Sequence, residues 1–493
     1  MNQLTRRNFL KHTALAGAAL SLPARLRAAA PGANEDIRVA VVGFNSRGEA
    51  HIADLLAIKG VRIVALCDVD TAVLQRGVDR LKKKNIEVET FTDIRKLLEK
   101  KDLDAISIAT PNHWHALATI WACQAGKDVY VEKPVSHNIW EGRQMVEAAK
   151  KYNRIVQAGT QSRSGAGIIE CVEWMKKGEL GKIVLARGAC YKPRPSIGKA
   201  AGPVQVPPTI DFDLWCGPAP KVAPVRTKFH YDWHWFWATG NGDVGNQGVH
   251  QMDIARWFLG EQLPPRVISV GGRLGYVDDG QTPNTQFIFH DYEKVPLIFE
   301  VRGLPEKSGS KEMDKFFGGK GVSARIECEN GHVYVPDYRS AEAYDKAGQL
   351  IRKFPAKAGE QEGDAAAPHE QNHHANFIAA IRSRNAGDLR APIIEGHYSA
   401  ALCHLGNISH LLGKKLAPDA IREKIKGNKE AMETFGRMSA HLEANGVDLN
   451  VDKLTLGEFL KFDAKTEKFI GNPEADKLLT RDYRAPFVVP KIG

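Results

Sequence analysis

From Ile37 onward, short apolar runs alternate with amphipathic stretches, and this alternation limits the fold more than any other feature of the chain. IRVAVVG is nearly continuous in apolar residues, as a strand buried on both faces must be. FNSRGEAHIADLLAIKG then predicts a turn and a helix, with Ile52, Leu55 and Leu56 on one face and Gly60 as its stop. VRIVALCDVD, LDAISIATP, KDVYVEKP and NRIVQAG supply further strands, and HALATIWACQAG and EGRQMVEAAKKY are helices between them. The pattern predicts an α/β chain whose residues 34–160 form an N-terminal Rossmann domain, a doubly wound parallel sheet.

The order changes afterwards. GIIECVEWMKKGELG reads as a helix, KIVLARGACY as a strand, and 192–222 as irregular chain rich in Pro and Gly. Strand-like runs then gather at RVISVGG, TQFIFHDY, VPLIFEVRG and ARIECENGHVYV. Residues 161–413 are therefore expected to form a C-terminal α+β domain with an open, mainly antiparallel sheet, serving substrate binding and oligomerisation. AKAGEQEGDAAAP reads as a mobile loop, HHANFIAAIRSR and EGHYSAALCHLGNISHLLG as helices, and 414–493 as a C-terminal extension with little pattern.

Residues 1–33 carry an address. TRRNFLK places a twin-arginine pair before the weakly apolar stretch Ala14–Leu22, which is too short to span a bilayer, and AAAPGA offers small residues for cleavage. The expectation is export through the twin-arginine machinery, after folding, to the periplasm or beyond. Residues 1–30 hold Arg6, Arg7, Lys11, Arg25 and Arg27 and no acid, so their removal lowers the net charge from +10 to +5 and leaves nucleic-acid binding little support. No other segment is long and apolar enough for an integral membrane protein. The seven cysteines are odd in number, widely spaced and free of Cys-x-x-Cys, which is no disulfide framework. Reduced core cysteines suit a chain that folds in the cytoplasm before export.

VVGFNSRG follows the first strand and opens a helix. Gly43 and Gly48 keep the outer spacing of a dinucleotide fingerprint, with Asn45 in place of the middle glycine, and Ser46 and Arg47 complete the turn. The helix start offers N–H groups and a positive dipole end to a pyrophosphate. Asp68 ends the second strand, where an acid accepts ribose hydroxyls and repels a 2′-phosphate, favouring NAD over NADP.

Together VVGFNSRG, ATPNHWHA, VYVEKP and GVHQMDIARW resemble the Gfo/Idh/MocA oxidoreductases, from about Ile37 to Leu412; FDLWCGPAP and GHYSAALCHLGNIS resemble its twin-arginine-exported bacterial branch. The resemblance implies bound NAD(P), a sugar or cyclitol substrate, and an open sheet that pairs with a second subunit. It assigns Thr110, Pro111, Asn112, His115 and Glu132 to the cofactor. Lys133 would face both the nicotinamide and the reacting carbon, and Pro134, able to adopt the cis form, would fix its direction. His250 would be the general acid/base. Many relatives carry Asp four residues earlier, where this chain has Asn246. Asp253, on the same helical face as His250, and Asp243 are the candidates to orient the imidazole.

FHYDWHWFW alternates as an extended chain, with Tyr231, Trp233, Trp235 and Trp237 on one side and His234 on the other. A carbohydrate platform is favoured over core packing. His230, Asp232 and His234 make only a weak metal motif. HEQNH (His369 to His373) matches the zinc-protease pattern but starts directly after Pro368, so no metal site is assigned. Three functions remain open: a sugar oxidoreductase that recycles its trapped cofactor internally, an NAD-dependent glycoside hydrolase working by transient oxidation, and a non-catalytic sugar-binding protein.

Overall fold

The computed structural model describes residues 36–226, 228–356 and 371–493. The twin-arginine segment, nearly all of AKAGEQEGDAAAP, and His369 and Glu370 of HEQNH lie outside the described residues.

In the first half, β1 (Ile37–Val42), α1 (Arg47–Leu56), β2 (Val61–Cys67), α2 (Thr71–Lys82), β3 (Glu89–Phe91), α3 (Ile94–Leu98) and β4 (Ala105–Ile108) lead into α4 (Asn112–Gln124). β5 (Asp128–Val131), α5 (Ile139–Lys151) and β6 (Val156–Ala158) complete it. The six strands are parallel in the order β3-β2-β1-β4-β5-β6. Chain order reverses between β1 and β4, and a crevice opens there beyond the strand ends, the usual place for a dinucleotide. One sheet face buries Val39, Val41, Phe44 and Leu55 with Phe377 and Ile381, which arrive from much later in the chain; the other buries Leu117, Ile120 and Met145 with Phe487. Each such side chain contributes roughly 1.5–3 kcal/mol on burial.

Past α6 (Ala166–Met175), the chain builds β7 (Ile183–Tyr191), α7 (Phe212–Cys216), α8 (Val249–Leu259), β8 (Arg266–Gly272), β9 (Thr285–Asp291) and β10 (Leu297–Arg302). β11 (Val322–Cys328), β12 (Gly331–Val335), β13 (Ala341–Asp345) and β14 (Leu350–Phe354) follow, then α9 (Gln371–Ser383) and α10 (Ile393–Leu411). The C-terminal stretch adds β15 (Lys414–Leu416), α11 (Pro418–Ile425), α12 (Lys429–Ala444), β16 (Leu454–Leu456), β17 (Leu460–Asp463), β18 (Lys468–Phe469) and α13 (Pro473–Lys477). The second sheet runs β14-β13-β12-β11-β7-β10-β9-β8-β16-β15, with β17 also on β8. Only the β10–β7 pair is parallel, so the sheet is mainly antiparallel as expected. Among the described residues no helix is long and apolar enough to cross a membrane.

The aromatic run departs from expectation. Asp232–Trp235 is a 3-10 turn, not an extended strand, so strict alternation is lost. Five residues, Val244–Gly248, form a π-helical turn ahead of α8, a widening that recurs at functional sites.

Candidate active site

A cavity of about 380 Å³ lies between the two domains, lined at one end by Gly43, Asp68 and Thr110 and at the other by Lys133, Asn246 and His250. Gly43 turns with φ +74°; a Cβ there would meet Thr110 N, Cα and Cγ2 at 2.9 Å. At Gly48 a Cβ would fall 2.1 Å from the Gly43 carbonyl oxygen, so only glycine lets α1 start this close to the turn. No side chain caps α1 at Ser46. The buried Thr110 hydroxyl, also on the cavity wall, has no hydrogen-bond partner among the described residues. Asp68 accepts the Phe44 N–H at 3.1 Å and the Asp70 N–H at 3.0 Å, and burial raises its pKa. These features fit a dinucleotide: a turn stripped of Cβ atoms, an uncapped helix start, an orphaned hydroxyl and an acid at the end of β2.

Other expected cofactor residues, Asn45, Pro111, Asn112, His115 and Glu132, line the same cavity and tie its walls together. Asn45 accepts from Arg76 Nη2 at 2.7 Å, and Asn112 donates to Asn241 at 2.9 Å. Pro111 precedes α4 as its cap residue. The ring nitrogens of His115 sit 2.6 and 2.7 Å from the carbonyl oxygens of Pro134 and Thr110, joining the two loops that carry the site. Glu132 is buried, and its Oε1 accepts from Arg47 Nε at 2.9 Å and faces His51 Nε2 at 3.0 Å. Its other oxygen accepts the Lys133 N–H at 3.1 Å. Burial pushes this carboxyl's pKa up, but Arg47 and His51 outweigh it and hold the group well below the carboxylate norm. Glu132 thus fastens the helix after the Gly43 turn to the backbone of Lys133. Nothing in a short motif signals Arg47, His51 and Glu132 as one unit.

The Lys133–Pro134 bond is cis, and Lys133 Nζ donates to the Asn246 carbonyl at 2.6 Å. Asn246 therefore reaches the lysine through its backbone; its amide donates to Asp243 at 3.4 Å. Asp243 itself is engaged by Arg194 at 2.7 Å through both oxygens. His250 is 3% exposed, its Nδ1 has no hydrogen-bond partner among the described residues, and Tyr338 stands 4.9 Å away between ring centroids. Burial first, then the Lys133 charge, pushes its pKa down to about 3, so the imidazole is neutral at neutral pH.

Two expectations are corrected here. Asp253 does not orient His250: it is buried against Arg163 at 2.9–3.0 Å and accepts the Ser399 hydroxyl at 2.6 Å. A carboxylate this deep needs a charged partner more than an imidazole needs an orienter. The aromatic platform is also narrower than expected. Tyr231, Trp233 and His234 line the cavity, whereas Trp235 and Trp237 do not. The 3-10 turn rotates Trp235 under Arg194, 5.2 Å from its ring, and Trp237 toward His410. Trp233 stacks on His234 at 3.6 Å. Sequence reading missed Gln161, Lys192, Gln247 and Tyr338, which also line the cavity. Gln247 lies three residues before His250 and could have been noticed; Tyr338 arrives from the β12–β13 connection without any local signal.

The fold and the cleft define a two-domain dinucleotide-binding protein. Residues 37–160 match the family model "Oxidoreductase family, NAD-binding Rossmann fold", and 184–276 match the companion "C-terminal alpha/beta domain" of the same family. These two segments carry the paired domains of the Gfo/Idh/MocA oxidoreductase family. It is 30% identical over 212 residues to a "Glycosyl hydrolase family 109 protein" of Shewanella baltica, covering 38% of this chain and 46% of that one. The chain thus spans about half the length of the curated relatives it matches. Among solved structures it resembles the WlbA dehydrogenase of Bordetella pertussis in complex with NADH and UDP-GlcNAcA (TM-score 0.55, 20% identity, 76% and 95% of the two chains). It also resembles a levoglucosan dehydrogenase in complex with NADH and levoglucosan (TM-score 0.56, 15% identity, 75% and 96% covered).

Proposed function

We propose that this protein is an NAD-dependent oxidoreductase acting on a sugar or cyclitol, with a tightly held cofactor recycled inside the site. The observation that carries this reading is the placement of Lys133 and the neutral His250 on the wall of the same cavity as the Gly43 turn and Asp68. Gly43, Ser46, Arg47, Gly48, Asp68 and Thr110 would hold the dinucleotide. When bound, the nicotinamide supplies reversible hydride transfer. His250, uncharged, can take the proton of a substrate hydroxyl. The Lys133 ammonium, held by the Asn246 carbonyl, stabilises the alkoxide that remains in a water-poor site. Tyr231 and His234 offer faces for a sugar ring, with the buried Trp233 stacked behind His234.

A second reading, glycoside cleavage by transient oxidation of the sugar, is favoured by the name of the Shewanella relative and uses the same two residues. Export by the twin-arginine route is part of the proposal, supported by TRRNFLK and by seven free, buried cysteines. A folded, preloaded protein accounts for cofactor use where free NAD is scarce. Pairing of two copies through the open sheet remains a proposal from family resemblance.

Denaturing the purified protein should release NAD or NADH. Lys133→Ala should keep the nucleotide while turnover falls by about a thousandfold; normal turnover in that variant would overturn the assignment. Nitrophenyl glycosides in deuterated water separate the readings. Chromophore release with deuterium in the sugar supports cleavage, and bleaching of bound cofactor by one free sugar with recovery by a second supports oxidoreduction.

A further inference from the structure

Residues 209–226 and 228–238 give Leu214, Trp215, His230, Tyr231, Trp233 and His234 to the cavity wall and form a bridge between α2 and α4, and residues 478–493 contact this bridge from outside. At one edge the bridge is hooked to the start of α2. The Thr71 N–H donates to the Thr209 carbonyl at 2.9 Å, the Asp211 N–H to Val69 at 3.0 Å, and His230 Nε2 faces Asp70 Oδ2 at 2.9 Å. At the other edge it meets α4, where Trp114 Nε1 donates to the Leu214 carbonyl at 3.0 Å. Leu214 and Trp215 of α7 line the cavity together with Trp114 and Ile94 of the Rossmann domain.

The C-terminal tail crosses this second edge from outside. Arg484 donates to Asp213 Oδ1 at 2.9 Å, to the Asp213 carbonyl at 2.7 Å and to the Gly217 carbonyl at 3.2 Å, so one guanidinium grips both ends of α7. Phe487, 1% exposed, packs edge-on against Trp114 at 5.5 Å and against Trp121 at 6.4 Å. Arg481 donates to the Ala238 carbonyl at 2.9 Å, at the far end of the bridge. The tail is anchored to α5 through Tyr483 on Glu141 at 3.1 Å and through the Ile492 N–H on Gln144 at 2.6 Å. Arg481, Arg484 and Phe487 do not line the cavity themselves.

We infer that Arg484 and Phe487 are positioning residues for nucleotide retention: the tail 478–493 is a strap that keeps α7 and Trp114 closed over the cofactor. This rests on the reading of the cleft as a nucleotide site. Leu214 and Trp215 of α7 form part of the cavity wall, and local opening of a short segment is governed by the few contacts that hold it. A charge-assisted grip on Asp213, which Lys221 also holds at 3.0 Å, and a buried aromatic are among those contacts.

The test uses the full chain loaded with NADH, freed of excess by gel filtration and diluted into unlabelled NAD, following the decay of bound-NADH fluorescence. Arg484→Ala is expected to release NADH at least about tenfold faster than wild type, with an unchanged melting temperature for the nucleotide-free protein. Arg484→Lys is expected to recover part of the retention. Phe487→Ala is expected to act in the same direction, and if it fails to fold, Arg484→Ala decides. Release from Arg484→Ala at the wild-type rate overturns the strap while leaving the nucleotide site intact. A wild-type chain that takes up no NADH overturns the site reading and the strap together.

Discussion

Glu132→Gln tests the connection between the helix after the Gly43 turn and the backbone of Lys133. The carboxylate is 4% exposed and shared by Arg47, His51 and the Lys133 N–H. Removing one member of a fully buried ion pair costs ~3–5 kcal/mol. Glutamine keeps the shape and an acceptor, and the Arg47 side chain is 24% exposed, so water takes over part of the lost interaction. The expected loss is about 2 kcal/mol at neutral pH. The sign of its pH dependence follows from the lowered carboxyl pKa. The folded state gives up this proton more readily than the unfolded chain, whose value is near 4.5, so the stabilisation is complete above that pH and fades as pH falls toward the folded value. Urea unfolding of both proteins should show the gap widest near neutrality and narrowing below about pH 4.5. Turnover should fall about tenfold, because the lysine backbone loses a charged acceptor, while nucleotide content stays at the wild-type level. A stability gap under about 0.5 kcal/mol, or one that does not change with pH, would refute the clamp.

Gly43→Ala should cost about 3 kcal/mol and weaken nucleotide binding, since a Cβ at φ +74° meets Thr110 backbone atoms at 2.9 Å; denaturant midpoints and nucleotide titration check it. Burial holds His113, His250, His290, His373 and His404 each near a pKa of about 3, below the unfolded value of 6.5. The unfolded chain therefore binds more protons below about pH 6.5, and stability should fall on acidification by up to ~1.4 kcal/mol per pH unit for each such histidine. Thermal melts between about pH 7.5 and 5 measure this, and a flat profile would refute the neutral burial of these rings.

Much of the first domain was legible because its signals are local. A continuous apolar run is a strand buried on both faces, and a glycine after it is a turn that a side chain would block. The same holds for Asp68 at the end of β2, whereas the place of Lys133 beside Pro134 was what the family resemblance implied. Asp253 misled because helical spacing places it on the face of His250, while tertiary packing supplies Arg163 from 90 residues away. The aromatic run misled for a related reason: alternation in a short stretch cannot announce a 3-10 turn whose Trp235 ring meets Arg194 and after which the Trp237 N–H donates to Gln281.

The places of Lys133 and His250 were expected from the family resemblance; by itself the sequence determined much of the order of strands and helices, the glycine turn and the two-domain plan. These depend on residue type and spacing over a few positions, where sterics and hydrophobic periodicity act directly. Only the tertiary structure decided which groups hold them: Glu132 with Arg47 across 85 residues, Lys133 with the Asn246 carbonyl across 113, and Arg484 with Asp213 across 271. Such pairs form because folded layers bring buried charges and carbonyls within hydrogen-bond reach, and no local pattern encodes that proximity.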